Sequence, residues 1–305
     1  MGIVDGRVVI ITGAGRGIGR EHALAYAAEG AKVVVNDLGA GLDGTDVGEH
    51  PAEQVVAEIK AAGGEAVVNG DDVASWDGAA NLVQTAIDNF GGLDVLVNNA
   101  GFLRDKMLVS MDESDWDNVI RVHLKGHFAP LRHAAAYWRA ESKAGRPRAA
   151  RIINTSSGAG LYGSVGQGNY AAAKAGIAEM TIQAAAEMKG YGVTANAIAP
   201  AARTRMTTSA GEAMAAQMAA PADGSFDAMD PANISPLVVW LGSEESGSVS
   251  GRVFEIEGGL IALSDGWQRS AKRDKGARWN PAELGPVVAD ILAEGPAPMP
   301  VYGAR

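Results

Sequence analysis

Residues 152–174, IINTSSGAGLYGSVGQGNYAAAK, place Ser156 and Ser157 at the end of an apolar run and follow them with Tyr170 and Lys174. Tyr170 and Lys174 are four positions apart in an Ala-rich stretch that reads as helix, so their side chains share one face, a turn apart. A phenol, an amine and a hydroxyl within reach of each other can exchange a proton with the oxygen of an alcohol or carbonyl. An unperturbed tyrosine has a pKa of about 10, so shuttling a proton near neutrality needs a downward shift of roughly 3 units, or about 4 kcal/mol. Burial opposes that shift because it disfavours the anion; a cation must supply it, and Lys174 is placed to do so. Ser157, at the end of the preceding strand, would hydrogen-bond the substrate oxygen while Tyr170 exchanges its proton. On its own the pair is also what a solvated helix face looks like, so the surrounding elements have to decide.

The first of these elements is a β-branched run at 7–11, RVVII, which reads as a buried parallel strand. It runs into Thr12, Gly13, Ala14, Gly15, Arg16, Gly17, Ile18 and Gly19, and then into a helix ending at Gly30. Glycines at a strand-to-helix junction let the backbone approach a pyrophosphate, and the helix amides supply donors and positive dipole. The next strand, 32–36, ends at Asp37, eighteen positions after Gly19. A carboxylate there can accept hydrogen bonds from the ribose hydroxyls of NAD and would repel the 2'-phosphate of NADP; the other reading is a turn or capping Asp in NDLG. Arg16 is the counterweight and the only nearby cation evident in the sequence, read as facing solvent or the pyrophosphate.

Further on, a polar loop at 39–50 precedes a helix at 51–62, a strand at 65–69 leads to Asp71, Asp72 and Val73, and a helix spans 75–90. A strand at 93–97 closes in Asn98, Asn99, Ala100 and Gly101, a long helix covers 114–140, and a strand at 192–198 leads to Pro200 and Thr204. Residues 205–230, rich in Met and Ala, read either as a mobile lid over an apolar substrate or as a surface helix. A helix at 231–241 and a strand at 252–256 complete the pattern. The alternation predicts an α/β fold: one doubly wound, Rossmann-type parallel sheet of about seven strands with helices on both faces. Residues 1–265 form the dinucleotide-binding domain, lid included, and 266–305 an extension packed on it. That extension carries Arg269, Lys272, Arg273, Lys275 and Arg278, read as a solvated face or a contact for an anionic substrate handle, then a helix capped by Asn280-Pro281.

Composition narrows the function classes. With 305 residues, 47% hydrophobic and 20% charged, the chain can bury one large core. Its net charge of -10 argues against nucleic acid and anionic membranes as partners. The absence of cysteine excludes thiolate nucleophiles and Cys-ligated zinc. His123, His127 and His133 lack a third acidic ligand, so no metal is expected. No apolar stretch exceeds strand size and the start has no signal-peptide pattern, giving an expectation of a cytoplasmic protein.

With TGAGRGIG, NNAG, Ser157 and YAAAK in order, the chain resembles the short-chain dehydrogenase/reductase family over roughly residues 5–262. The resemblance implies Tyr170 as acid/base, Lys174 as the group that lowers its pKa and holds the nicotinamide ribose, and Ser157 as the orienter of the substrate oxygen. It implies a pyrophosphate turn at Gly13, Gly17, Ile18 and Gly19, a ribose contact at Asp37, adenine contacts at Asp72 and Val73, and a cofactor floor at Asn99, Ala100 and Gly101. Val122, Pro200 and Thr204 match nicotinamide-side positions. Two departures stand out: His123 replaces the usual relay Asn, which leaves open whether a side chain takes part in a water relay while a backbone relay persists, and Pro200-Ala201 replaces Pro-Gly. NDLG, GFLRDKML, DWDNVIRVHLKGHF, GQGNY, IAPAARTRMT and ISPLVVWL are similar to the (3R)-hydroxyacyl-CoA dehydrogenase module of peroxisomal multifunctional enzymes of β-oxidation. That similarity implies NAD as cofactor and a fatty or sterol-derived 3-hydroxyacyl-CoA as substrate. The family also implies a homodimer or homotetramer pairing the helices of 114–140 and 162–189 across a two-fold axis. NADPH-dependent 3-oxoacyl-carrier-protein reduction and a silent nucleotide-binding scaffold are the competing readings.

Overall fold

A computed structural model describes residues 2–39, 41, 50–208, 215–216, 218–264 and 266–304. Its centre is a run of short β-branched strands. β1 (Val8–Thr12) is buried at every position, as are β4 (Val95–Asn98) and β5 (Ala150–Thr155). Continuous apolar runs of this kind suit parallel strands covered on both faces. With β2 (Lys32–Asn36), β3 (Glu65–Asn69), β6 (Val193–Ala201), β7 (Arg252–Glu257) and β8 (Leu260–Ser264), they form one sheet in the order β3-β2-β1-β4-β5-β6-β7-β8. All neighbours are parallel except β7 and β8.

The expectation of about seven strands is therefore corrected to eight. The added strand is the second arm of a hairpin in which Glu257 faces Leu260 across Gly258-Gly259, with Gly258 at φ 53°. A two-glycine turn is a recognised hairpin signal because its backbone twist matches that of the strands.

Helices α1 (Gly17–Ala28), α2 (Pro51–Ala61) and α3 (Trp76–Phe90) follow β1, β2 and β3. α3 starts at Ser75, whose hydroxyl accepts from the Gly78 amide at 3.3 Å, and stops at Gly91 in the left-handed region. The helix expected over 114–140 is longer and not uniform: α4 (Glu113–Ile120) passes through a π-helical turn at Arg121–Lys125 into α5 (Gly126–Lys143). Widened turns of this type occur mostly at functional sites, and this one carries His123. α6 (Gly158–Tyr162) and α7 (Gly168–Met188) follow β5, and α8 (Arg205–Thr208) follows β6. α9 (Ser235–Gly242) precedes β7.

Two apolar layers sandwich the sheet. One gathers Val9, Ile11, Val33 and Val35 with Tyr26, Ile59, Val238 and Leu241; the other joins Ile10, Leu96 and Ile152 with Leu82, Leu131 and Trp138. Trp138 also donates from Nε1 to the Leu93 carbonyl at 2.7 Å.

Of the expected lid, residues 209–214 and 217 lie outside the described residues, as do 40 and 42–49 of the polar loop. The rest of the lid is tied down at 203: the Arg203 guanidinium contacts Asp227 at 2.5 Å and the Met218 carbonyl at 2.9 Å. Residues 266–300 are largely exposed and hold together by their own pairs, Arg273 with Glu294 and Lys275 with Glu283, around α10 (Leu284–Glu294). The chain touches the body again at Tyr302.

Candidate active site

The strand order reverses between β1 and β4, and ligands of such sheets bind beyond the carboxyl ends of strands at that switch point. A cavity of about 700 Å3 opens there. Its floor is the glycine turn after β1. Gly13 (φ 63°) has no room for a side chain, since a Cβ would meet the Ala100 Cα at 2.8 Å, and one on Gly19 would meet the Gly13 carbonyl at 2.2 Å. The turn is pinned by Thr12, whose hydroxyl accepts from the Asn99 and Ala100 amides at 2.9 and 3.1 Å. The Asn99 amide side chain donates to the carbonyls of Thr12 and Gly13 at 3.1 and 3.2 Å. The bare backbone between β1 and α1 leaves open space at the N-terminus of α1, where helix amides in general suit an anion.

Gly13, Arg16, Gly17 and Ile18 line the cavity, and Gly19 lies beneath as the packing contact of the turn. Asp37, Asp72 and Val73 line the side below β2 and β3. Asn99, Ala100, Gly101 and Val122 form the β4 side, and Thr204 closes it from β6. Pro200, in register with Ile256 within β6, is not among the lining residues. Asp37 has the turn role: one oxygen accepts from Gly15 at 2.9 Å and the other from Gly39 at 2.8 Å, and the residue also lines the cavity. A carboxylate has about four lone-pair sites, so ribose hydroxyls can still be accepted. Asp72 accepts from Ala74 at 2.8 Å and is paired with Arg121. Arg16 is not the only cation at this end. Arg205, also lining the cavity, is close enough to lower the Arg16 pKa, after burial and ahead of the opposing pull of Asp37.

None of the three side chains of the first motif is among the residues lining this cavity; Tyr170 packs against the apolar cluster of Phe102, which does line it. β5 ends at Thr155, and Ser156 and Ser157 follow it, Ser157 capping α6. Ser156 donates to the Lys174 carbonyl at 2.8 Å, and the Ser157 hydroxyl accepts from Ala159 at 3.2 Å. Tyr170 opens α7, its amide donating to the Asn169 side chain at 2.8 Å. Asn169, fully buried, also donates to the carbonyls of Arg104 and Asp115 at 3.1 and 3.0 Å, so it locks the 104–115 segment against the Tyr170 turn. Lys174 is 2% exposed, with Nζ 5.5 Å from the Tyr170 ring centre and 2.6 Å from the Thr155 carbonyl oxygen.

Helix spacing brings Tyr170 and Lys174 together, but the charge balance differs from the expectation. Burial pushes the Lys174 ammonium down to about 7, so it is only partly charged at neutrality. Burial likewise raises the Tyr170 pKa, opposed by a hydrogen bond with Ser157 and reinforced by the nearby Asp105. The expected depression of Tyr170 by Lys174 is therefore not present in the protein alone: burial raises the phenol, and the same burial pushes down the amine that was to supply the charge.

His123 sits edge-on to Tyr170, ring centres 5.2 Å apart at 86°. Its Nε2 is 2.7 Å from the Phe102 carbonyl oxygen and 3.0 Å from the Phe102 amide. Burial, then Lys174, push its pKa down to about 3, so the imidazole is neutral. His127 is equally buried and is pushed well below its usual range for the same reasons. Among the described residues no three His, Asp or Glu converge as a metal site.

Thr12, Asn169, Asp105 and Arg205 are site residues that motif reasoning passed over. Thr12 and Asn169 had a signal, since each directly precedes a residue already singled out. Arg205 had the same signal, following Thr204, and Asp105 lay within GFLRDKML, but only tertiary packing shows that they act on Arg16 and Tyr170.

Residues 7–215 match the short chain dehydrogenase family. The chain belongs to that family. It is 42% identical over 294 residues to hydroxyacyl-CoA dehydrogenase ChsB1 of Mycobacterium tuberculosis, covering 95% of this chain and 90% of that protein. It is also 42% identical to the peroxisomal multifunctional enzyme type 2 of Mus musculus, over 87% of this chain but only 33% of that protein. The crystal structure of a short chain dehydrogenase from Mycobacterium avium superposes with a TM-score of 0.88 at 62% identity, over 99% and 100% of the two chains. The protein is thus an oxidoreductase of a nicotinamide-using family, and among its described residues no helix is long and apolar enough to cross a membrane.

Proposed function

We propose that this oxidoreductase uses NAD to oxidise a 3-hydroxyacyl-CoA thioester, fatty or sterol-derived, to its 3-oxoacyl-CoA. The observation that carries the reading is the near full-length relationship to a hydroxyacyl-CoA dehydrogenase, supported by Ser157 and Lys174 gathered around Tyr170, which packs against the Phe102 cluster at the edge of the cavity. NAD, when bound, supplies the hydride-accepting ring. The glycine turn receives its pyrophosphate, and Asp37 accepts from the adenosine ribose. Ser157 donates to the substrate C3 oxygen, and Tyr170 takes the C3 hydroxyl proton. Lys174, whose amine is held by the Thr155 carbonyl, supplies positive charge to the Tyr170 phenolate.

An apolar acyl chain also suits the surface around the centre. Met107, Leu108 and Val109 are exposed, and Lys106 beside them bridges to Gln167 three residues before Tyr170. Contiguous exposed apolar residues at a site mark an apolar ligand or partner. Arg16 and Arg205 favour a second reading, in which the cavity takes NADPH and the reaction runs as 3-oxoacyl thioester reduction. Initial rates on a panel of 3-hydroxyacyl-CoAs and simple secondary alcohols, each with NAD and with NADP, decide between the two. We also infer a homodimer or homotetramer, supported by exposed Trp116 and Phe128 on α4 and α5 and Ile182 on α7. A monomer in light scattering at micromolar concentration would refute it.

A further inference from the structure

The last described residues return to the neighbourhood of Ser157. Tyr302 pairs as a parallel bridge with Ser164, in the turn between α6 and α7. The Val165 amide donates to the Tyr302 carbonyl at 2.9 Å, and the Tyr302 amide donates to the Gly163 carbonyl at 3.2 Å. Ser157 precedes this turn in the sequence and Tyr170 follows it, so the Tyr302 segment is fastened to the loop that connects two members of the reaction centre.

The side chain of Tyr302 is also committed. Its ring stands edge-on to Tyr162, centres 6.2 Å apart at 80°. Its hydroxyl oxygen lies 2.6 Å from where a Cβ on Gly158 would stand, with ring carbons at 2.8 and 3.1 Å. Gly158 directly follows Ser157, so the glycine leaves the space that Tyr302 fills. The surface beneath is fixed, because the Tyr162 hydroxyl donates to Glu255 at 2.5 Å and lies 3.0 Å from the Ser264 hydroxyl, which joins α6 to the β7-β8 hairpin. Yet Tyr302 remains 49% exposed. One side is held by backbone and ring contacts, and the remainder is exposed against Gly158, the residue that follows Ser157. Burial, followed by Glu255 and Glu257, raises the phenol pKa, so the ring presents a neutral wall and not a base.

We propose that Tyr302 is a specificity-determining residue, the wall of the substrate site next to Ser157 that limits the bulk a secondary alcohol carries beyond its reacting carbon. The proposal rests on the reading of Ser157, Tyr170 and Lys174 as the reaction centre. It goes beyond that reading, because proton transfer at those three groups needs nothing from residues 296–305.

The test uses the full chain with Tyr302→Ala, Tyr302→Phe and Tyr302→Trp, and 3-hydroxyacyl-CoA thioesters running from a four-carbon chain to branched and ring-bearing ones. For each variant kcat and KM are measured separately, with NAD affinity and thermal midpoint as controls. Tyr302→Ala raises the kcat/KM ratio of bulkiest to smallest substrate by about tenfold or more, chiefly through KM. Tyr302→Trp lowers it by a similar factor, and Tyr302→Phe stays near the parent; pocket changes of one or a few carbons have effects of about this size. NAD affinity stays constant. Opposite shifts from Ala and Trp are not what a merely structural role would produce. Should Tyr302→Ala fail to fold, the Trp and Phe pair carries the same comparison. Flat ratios in folded, active variants overturn the proposal alone. A parent protein that binds NAD and turns over no substrate overturns the reaction-centre reading, and the proposal with it.

Discussion

Lys174→Met probes the buried amine beside Tyr170. A lysine titrates at 10.5 in the unfolded chain and at about 7 in the folded protein without ligand. Between those values the unfolded chain binds the extra proton, so stability rises with pH; below about 7 both states are protonated, and the full penalty of burying the charge applies. A difference of about 3.5 units corresponds to about 5 kcal/mol. With Lys174 only 2% exposed, solvent screening removes little of it. Only part falls in an accessible range: integrating from pH 7 to pH 9.5 gives about 3 kcal/mol. Denaturant unfolding of parent and Lys174→Met at several pH values in that range, without cofactor, isolates the amine, because distant groups cancel in the difference and buried His123 and His127, which Lys174 also pushes down, are neutral across that range. The parent gains about 3 kcal/mol on the variant as pH rises. A difference that stays constant with pH would show that Lys174 titrates alike in both states, and the desolvation argument for the pair would fall.

Tyr170→Phe keeps the ring and loses the proton shuttle, so turnover falls by at least about 10²- to 10⁴-fold while NAD affinity, read by fluorescence titration, stays within a few-fold. Asp37→Ala removes charge-assisted hydrogen bonds of about 1.5–3 kcal/mol, so kcat/KM with NAD drops about 10- to 100-fold and the preference over NADP narrows; an unchanged cofactor ratio counts against the ribose contact. Gly101→Ala puts a Cβ 2.3 Å from the ring of fully buried His123. It costs about 1–3 kcal/mol, and an unaltered thermal midpoint would contradict that packing.

The parts of the fold that could be read along the chain are those encoded locally. VVIIT followed by glycines, KVVVN followed by Asp37, and YAAAK each carry their period and their terminator within a dozen residues. The eighth strand also had a local signal in Gly258-Gly259, but LIALS lacks strict alternation and leaves Leu260 and Ile261 exposed, so no core face marked it. The π turn at His123 depends on how α4 and α5 meet α7, and periodicity alone reads straight through it. The charge state of Lys174 was the sharpest difference: helical spacing shows which groups meet, whereas their pKa values follow from how completely water is excluded, which is a tertiary property. The approach of Arg205 to Arg16, and of Tyr302 to Gly158, is long-range in the same sense.

The most direct test follows one hydrogen. A 3-hydroxyacyl-CoA carrying deuterium at C3 is incubated with the protein and NAD, and both products are examined by mass spectrometry. The account predicts one deuterium in the reduced nicotinamide for each 3-oxoacyl-CoA formed, abolished in Tyr170→Phe. If deuterium stays on the thioester while NAD is consumed with a simple secondary alcohol, or if only NADP accepts it, the assignment as an NAD-dependent 3-hydroxyacyl-CoA dehydrogenase is contradicted.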